Sequence, residues 1–303
     1  MMSVTVYHCS VPNAKSQEKI DLLRYFAQGA EAAGAAVTNS YDHTYQATDV
    51  AVIQGWVHEG SKPSAHLNLR NTVISQQLAR KKYVVAVDSN LFLYANTANP
   101  QHYLRYSFNG VFPSTGIYCD TQIDPVRWKK ISAALNISLR PYRKTGNHIL
   151  LCLQRNGGWS MGKFNVVDWA NQTIAQIRQH SDRSIVIRAH PGDKSAANYV
   201  ASIAGKNITV SQNPSLVADL QNCWAAVNHN SSPVVGAAIE GVPIFVTDMS
   251  KSQCREIANL DLAQIENPSM PDRQAWAERL AMFHWNFGEL QSGECWRHMQ
   301  QFI

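Results

Sequence analysis

Basic and hydroxyl side chains gather in three short segments of the second half of the chain, each directly after an apolar run typical of a β-strand. Arg188, His190 and Lys194 follow the run SIVI, in the sequence RAHPGDK. Arginine holds a phosphate with its bidentate fork, lysine holds it as a point charge, and histidine can bond the same oxygens. The segment predicts an anion site, with a solvated strand-to-loop junction as the plainer alternative.

The segment NHNSSP also follows a strand and opens a predicted helix. Asn230, Ser231 and Ser232 bring an amide and two hydroxyls to the helix start, and Pro233 suits its first position. Free N–H groups there attract anions, although a well-capped helix has the same pattern. Glu240 ends the helix, and its carboxylate is either an acceptor for ribose hydroxyls or a surface group.

Paired glycines mark the remaining segment, QRNGGWS. Arg155 precedes Gly157 and Gly158, which allow the backbone to approach a ligand closely. The segment lacks the lysine of a Walker A loop and does not match GxGxxG. Its interest is that loops after several strands of one domain share phosphate-compatible chemistry.

The elements that must position these loops alternate between strands and helices in both halves. Near-continuous apolar strands in a βαβ rhythm indicate parallel sheets covered on both faces. We predict an α/β protein with two Rossmann-like doubly wound domains facing a cleft, with ligands beyond the carboxyl ends of the strands. The predicted domains are 1–143 and 144–284, and we expect a terminal helix over 285–303 to pack on the first.

Composition narrows the class of protein. Of 303 residues, 45% are hydrophobic and 16% are charged, as in globular chains with a real core. The net charge of +5 favours anionic partners. The six cysteines form no CxxC pair, so we expect reduced, mostly structural thiols and no zinc. No apolar stretch suits a membrane span and the N-terminus does not read as a signal peptide, so we expect a cytoplasmic protein with no membrane partner.

Two stretches resemble a known family: RAHPGDK (188–194) and NHNSSPVVGAAIEGVPIFV (228–246). They are similar to the nucleotide-sugar half of two-domain (GT-B type) glycosyltransferases of the capsule-polymer and sialyl- or Kdo-transferase type, over about residues 147–250. This resemblance implies a GT-B fold. It also implies a nucleotide-sugar donor as substrate, with a UDP-sugar expected first, and no cofactor.

The same resemblance implies that His190, Ser231 and Ser232 face the donor phosphates. Many such transferases carry a glutamate earlier on the helix, where this chain has Ala237. The whole chain also resembles uncharacterised tailed-phage proteins, in GWSMGKFNVVDW and SGECWRHM. That second resemblance implies an infected host cell as the location.

Transfer to a hydroxyl is helped by a base that takes its proton, and the candidates are in first-domain loops. We expect His58 and Glu59 in GWVHEG first, and the other candidates are Asp42 and His43 in SYDHTY and Asp88 after YVVAV. Each of them has a purely structural role as its alternative. No DxD motif occurs, which agrees with metal-independent transfer.

Aromatic and basic residues are mixed over 103–108 and 128–130. They predict stacking of an extruded base beside phosphate contacts, with ordinary packing as the alternative. With the phage resemblance, they make a hydroxymethylated pyrimidine in double-stranded DNA the first predicted acceptor, ahead of a capsule polysaccharide. A non-catalytic nucleotide- or nucleic-acid-binding protein and a sugar-nucleotide epimerase stay open as alternatives.

Overall fold

The structure is a computed structural model that describes residues 1–12, 17–57, 63–94, 98–156, 159–161, 164–203 and 205–303. By its internal contacts the chain divides into two units. Unit 1 comprises Met1–Asn90, Asn99–Ala134 and Glu278–Ile303, and unit 2 comprises Leu91–Ala98 and Leu135–Ala277. The sequence-based boundaries are at 143/144 and 284/285.

Unit 1 is built on a mostly parallel sheet. Its described strands are β1 (Ser3–Tyr7), β2 (Ala36–Ser40), β3 (Val50–Gln54), β4 (Tyr83–Asp88), β5 (Leu104–Phe108) and β11 (His284–Trp285). They lie in the order β2-β1-β3-β4-β5-β11, in which the first four are parallel to one another and β5 runs antiparallel to both of its neighbours, β4 and β11. The short strand β11 thus extends a sheet that the N-terminal segment begins.

Helices cover both faces of this sheet because successive strand residues point to opposite sides. The described helices are α1 (Gln17–Ala32), α2 (Ala65–Ala79), α3 (Pro125–Leu135), α9 (Phe287–Gln291) and α10 (Glu294–Met299). Val50 and Val52 pack with α1, α9 and α10, whereas Ala51 and Ile53 pack with α2. Near Gly29 the helices α1 and α9 approach closely, because a Cβ there would meet the carbonyl oxygen of Leu290 at 1.8 Å.

Unit 2 has a fully parallel sheet. Its described strands are β6 (His148–Cys152), β7 (Ser184–Arg188), β8 (Ile208–Val210), β9 (Cys223–Asn228) and β10 (Ile244–Val246), in the order β10-β9-β6-β7-β8. The described helices are α4 (Val166–Arg178), α5 (Ala196–Tyr199), α6 (Leu216–Leu220) and α7 (Pro233–Ile239), and α8 (Gln274–Ala281) contains the chain boundary between the units at 277/278. Helix α4 is amphipathic and buries Trp169, Ile174 and Ile177 against the sheet.

Each sheet has one point where the strand order reverses. In unit 1 the chain passes from β1 to β2 on one side and from β3 to β4 on the other, so the reversal lies between β1 and β3. In unit 2 it lies between β6 and β9. These are the doubly wound topologies predicted from the sequence, and ligands of such sheets bind outside the carboxyl ends of the strands at the reversal.

The terminal segment differs from the prediction of one helix over 285–303. It forms β11, then α9 and α10, with Gly293 between the helices in the left-handed conformation (φ 79°). Asn286 and Glu289 form a capping box at the start of α9, which fixes the first helix as a separate element. Trp285 and Trp296 are buried in the core of unit 1.

The cysteines are all free, and five of the six are buried, as expected from the sequence. Burial raises the pKa of the Cys152 thiol to about 12, so this thiol is protonated and unreactive at neutral pH. In the part of the chain that the structure describes, no helix is long and apolar enough to cross a bilayer.

Candidate functional site

A reciprocal side-chain pair joins the loops that follow β6 and β9, at the strand reversal of unit 2. Gln154 donates from Nε2 to Oδ1 of Asn230 at 2.9 Å, and the backbone N–H of Asn230 donates to Oε1 of Gln154 at 3.1 Å. Both residues are buried, with 2% and 6% of their surface exposed. Because buried amides that are fully paired hold a unique geometry, this pair fixes one loop against the other.

The remaining amide hydrogens of the pair also find acceptors. Gln154 donates to Oγ of Ser160 at 2.5 Å, while Asn230 donates to the Ser160 carbonyl at 3.1 Å and to Oδ2 of Asp248 at 3.0 Å. Burial would raise the pKa of Asp248, but hydrogen bonds from Ser250 and Asn230 and the nearby His229 and Lys251 lower it. Asp248 is therefore an ionised acceptor, and the network links the loops after β6, β9 and β10.

Asp193 attaches the loop after β7 to the loop after β6. Its carboxylate accepts from the backbone N–H of Asn156 at 2.8 Å, from the backbone N–H and Oγ of Ser195 at 2.9 and 2.7 Å, and from the Tyr199 hydroxyl at 2.7 Å. Burial alone would raise the pKa of Asp193, but these hydrogen bonds outweigh it and lower the pKa. An ionised carboxylate with four donors is a strong positioning group.

His190 lies in the same loop and is held in one tautomer. The backbone N–H of Gly192 donates to its Nδ1 at 3.0 Å, so Nδ1 carries a lone pair and the ring proton is on Nε2. Burial lowers the pKa of His190, the Asp193 charge acts in the opposite direction, and the Arg155 charge lowers it further. At neutral pH His190 is thus a neutral Nε2–H donor with a cationic side chain nearby.

Four other predicted residues present polar groups at this edge of the sheet. Arg155 and Lys194 are exposed cations. The Ser231 hydroxyl accepts from Nδ2 of Asn228 at 2.9 Å, which leaves its proton to donate. Ser232 is at the N-cap position of α7 and Pro233 begins the helix as predicted, but the Ser232 hydroxyl makes no cap bond and is exposed.

Two predicted residues are engaged elsewhere. Arg188 pairs with the fully buried Asp219 at 2.5 Å and donates to the Asn213 carbonyl at 3.2 Å. Glu240 accepts from the Tyr94 hydroxyl at 2.9 Å. It closes α7, so the helix separates it from Ser232 by about 12 Å along its axis.

His229 was not singled out by the sequence, yet it lies beside the same network. Its Nδ1 is 2.7 Å from Oγ1 of Thr247, which also accepts from Nε1 of Trp169 at 2.9 Å. The Thr247 hydroxyl thus joins the imidazole of His229 to the indole N–H of Trp169. Burial lowers the pKa of His229, while Asp248, 3.9 Å from Nε2, raises it.

Two doubly wound units, with the polar edge of unit 2 at its strand reversal, define the fold class. The chain has a GT-B fold. It aligns over 99% of its length with all of a solved structure described as Thermosulfurimonas dismutans KpsC, beta Kdo 2,7 transferase, at a TM-score of 0.52 and 11% identity. At this identity the likeness establishes the fold.

Two further solved structures align at lower scores. The beta Kdo 2,4 transferase of the same KpsC gives a TM-score of 0.49 at 12% identity, over 88% of this chain and 89% of that one. The UDP-GlcNAc 2-epimerase of Methanocaldococcus jannaschii gives 0.37 at 13% identity, over 99% of each chain. Neither protein-family models nor curated protein sequences match the chain.

The predicted base candidates belong to the first half of the chain. Asp42 follows β2 and is exposed; its Oδ1 accepts from the backbone N–H and the hydroxyl of Thr44, at 2.8 and 2.5 Å. These bonds lower the pKa of Asp42, which weakens it as a base. His43 is exposed beside it. His58 and Glu59, like Gly157 and Gly158 of unit 2, lie outside the described residues.

The aromatic residues proposed to stack an extruded base are part of the core instead. Tyr103, Tyr106 and Phe108 have at most 1% of their surface exposed. Tyr106 and Phe108 pack against α1 and the terminal helices. The prediction of a stacking surface there is wrong, because Tyr106 and Phe108, two residues apart on β5, point to the same face of the sheet and into the core. Over the described residues, no group of three His, Cys, Asp or Glu side chains is placed to hold a metal ion.

Proposed function

We propose that the chain is a glycosyltransferase that moves a sugar from a nucleotide-sugar donor to a hydroxyl acceptor. The observation that carries the proposal is the edge of unit 2 where the loops after β6, β7, β9 and β10 are tied together by buried side chains. Gln154, Asn230 and Asp193 hold loops that present cationic, imidazole and hydroxyl donors together. A preorganised set of donors at a strand reversal suits a diphosphate.

His190 has the central role in this proposal. In transfer, the bond between the anomeric carbon and the diphosphate oxygen breaks and its electron pair goes to the diphosphate. The acceptor oxygen bonds the anomeric carbon, and its proton goes to a base. The Nε2–H of His190, with Arg155, Lys194 and the hydroxyls of Ser231 and Ser232, would stabilise the charge that develops on the leaving diphosphate.

The base that takes the proton of the acceptor hydroxyl stays a prediction, and its candidates are His58, Glu59, Asp42 and His43. As the acceptor we propose a saccharide ahead of DNA. The aromatic surface predicted to stack a DNA base is buried, and the structure that shares the fold is described as a Kdo transferase. Hydroxymethylated duplex DNA stays in the assay as the second acceptor.

The test is a transfer assay on the full chain. UDP-, GDP- and CMP-sugars are incubated with oligosaccharide acceptors or hydroxymethylated DNA, and released nucleotide and glycosylated product are both quantified. Product formation with stoichiometric nucleotide release supports the proposal. Donor conversion without acceptor identifies an epimerase, and nucleotide binding without any turnover identifies a binding protein.

His190→Ala is the decisive variant, and exposed His180→Ala in the same unit is its matched control. Removing one preorganised donor to a developing oxyanion costs about 10²–10³ in rate. We expect that loss in His190→Ala with an unchanged melting temperature, and wild-type rates in His180→Ala. Full transfer activity in His190→Ala would contradict the assignment.

A further inference from the structure

Unit 1 contains a buried arginine, Arg70, whose charge has no ion-pair partner among the residues that the structure describes. Only 7% of Arg70, in α2, is exposed. Its Nε donates to the Ser10 carbonyl at 2.8 Å and its Nη2 donates to Oε1 of Gln54 at 2.8 Å, and both acceptors are neutral. Across the described residues, Nη1 has no acceptor and Arg70 forms no ion pair. Burying an unpaired charge costs free energy. An anion bound to Arg70 would offset that cost.

Among the described residues, Arg70, Arg105 and Asp88 together carry one excess positive charge. Asp88 acts on Arg70 but is already paired with Arg105. Two guanidinium groups and one carboxylate leave one charge unmatched. Burial lowers the pKa of Arg70 to about 10, so the group is still protonated at neutral pH. Its field reaches its neighbour His66, whose pKa is lowered by burial first and then by the Arg70 charge.

The position of Arg70 is that of a ligand site. Gln54 ends β3 and Ser10 lies three residues beyond β1, so the guanidinium is at the carboxyl ends of the two strands where the order of unit 1 reverses. Gln54 and Ser10 are themselves linked, because the Gln54 backbone N–H donates to the Ser10 hydroxyl at 3.1 Å. Gly55 (φ +76°) leaves room for Nη1, since a Cβ there would lie 2.9 Å from it.

We propose that Arg70 binds a monoanionic oxyanion group of the acceptor, either a carboxylate or a phosphodiester. One bound negative charge neutralises the one unmatched positive charge, whereas a dianionic phosphate would leave the cluster negative. The oxyanion site stands on the geometry of unit 1, and its assignment to the acceptor rests on the proposed function. The acceptor class then consists of acidic sugars or of saccharides joined by phosphodiesters.

The test is calorimetric titration of the full chain with glucuronate and with dimethyl phosphate at constant ionic strength, with glucose as the neutral probe. Arg70→Gln keeps a hydrogen-bond donor and removes the charge, Arg70→Lys keeps the charge, and Arg24→Gln removes an exposed arginine of the same unit. We expect the dissociation constant of at least one anion to rise about tenfold or more in Arg70→Gln. Arg70→Lys should lose less affinity for the anion than Arg70→Gln, and the affinity of Arg24→Gln should match that of the wild type.

Binding of glucuronate identifies a carboxylate ligand and binding of dimethyl phosphate a phosphodiester. No anion binding to the wild type, or equal affinity in folded Arg70→Gln, overturns the proposal. UDP, GDP and CMP titrations of the same proteins keep the two proposals separate. Arg70→Gln should bind nucleotide as the wild type does. A wild type that binds no nucleotide but binds an anion through Arg70 refutes the proposed function and the acceptor role while the oxyanion site stands.

Discussion

Replacing Asp193 by Asn tests whether one carboxylate holds the site loops together. In the wild type each carboxylate oxygen accepts from one backbone N–H and one hydroxyl. An asparagine amide group must turn its NH₂ toward one of the two N–H groups, Asn156 or Ser195. The hydroxyls can rotate and accept, but that backbone N–H loses its acceptor, and the other bonds lose their ionic component.

Leaving a buried donor unsatisfied costs about 1–3 kcal/mol. For a unit of roughly 150 residues this lowers the melting temperature by about 2–12 °C. We expect that loss in Asp193→Asn by calorimetric melting, with nucleotide affinity reduced because the Asn156 and His190 loops separate. The exposed Asp182→Asn in the same unit is the control, with a change below about 0.5 kcal/mol. Unchanged melting and unchanged nucleotide binding in Asp193→Asn would refute the reasoning.

Three further substitutions follow from the structure. Gly192→Ala would place a methyl carbon 3.1 Å from Cε1 of His190, so titration should show several-fold weaker nucleotide binding with little change in melting. Burial lowers the pKa of His284 to about 3 from 6.5, so the unfolded state alone binds its proton and stability falls as the pH drops below 6.5. Between pH 8 and 5 urea unfolding should show a loss of about 2 kcal/mol through this residue, absent in His284→Asn and retained in exposed His43→Asn. Asp219→Asn should lower the free energy of unfolding by about 1–3 kcal/mol, because the fully buried carboxylate is the ionic partner of the partly exposed Arg188 guanidinium; a loss below about 0.5 kcal/mol would contradict that pairing.

Much of the fold could be predicted because strands buried on both faces read as continuous apolar runs. The sequence YVVAV (83–87) and the sequence HILLCLQ (148–154) are such runs and predict strands, and β4 and β6 occupy them. Strand β2 was missed because its sequence AVTNS is an edge strand with polar, largely exposed side chains. Strand β5 was missed because LRYSF is antiparallel and gains its partners from β4 and the distant His284–Trp285.

The loops of the site could be predicted, but not the function of each side chain within them. A segment that follows a strand must lie at the carboxyl edge of the sheet, which located Arg155, His190 and Asn230. The role of each side chain within these loops depends on partners that are distant in the sequence. Gln154 and Asn230 are 76 residues apart, and Arg188 pairs with the carboxylate of Asp219, 31 residues later.

The positioning residues had weaker signals. Asp193 is within the segment RAHPGDK, and Asp248 stands shortly after the apolar run VPIFV. An acidic side chain next to residues predicted to bind phosphate indicates a role in positioning the loop. The phosphate repels the carboxylate, so the carboxylate must accept hydrogen bonds from donors of the protein instead. Arg70 had no signal in the sequence, since a helical arginine normally reaches solvent.

The central claim is that unit 2 binds the phosphate groups of a nucleotide-sugar donor, and equilibrium binding tests it most directly. The melting temperature of the wild type is measured with UDP, GDP, CMP and their sugar conjugates, each at about 100 times its dissociation constant, and repeated with His190→Ala. A ligand of the native state then adds about 2.7 kcal/mol, or roughly 5–11 °C for a unit of this size. We predict this shift for one nucleotide family in the wild type and a much smaller one in His190→Ala. No shift with any nucleotide, or an equal shift in His190→Ala, would contradict the account.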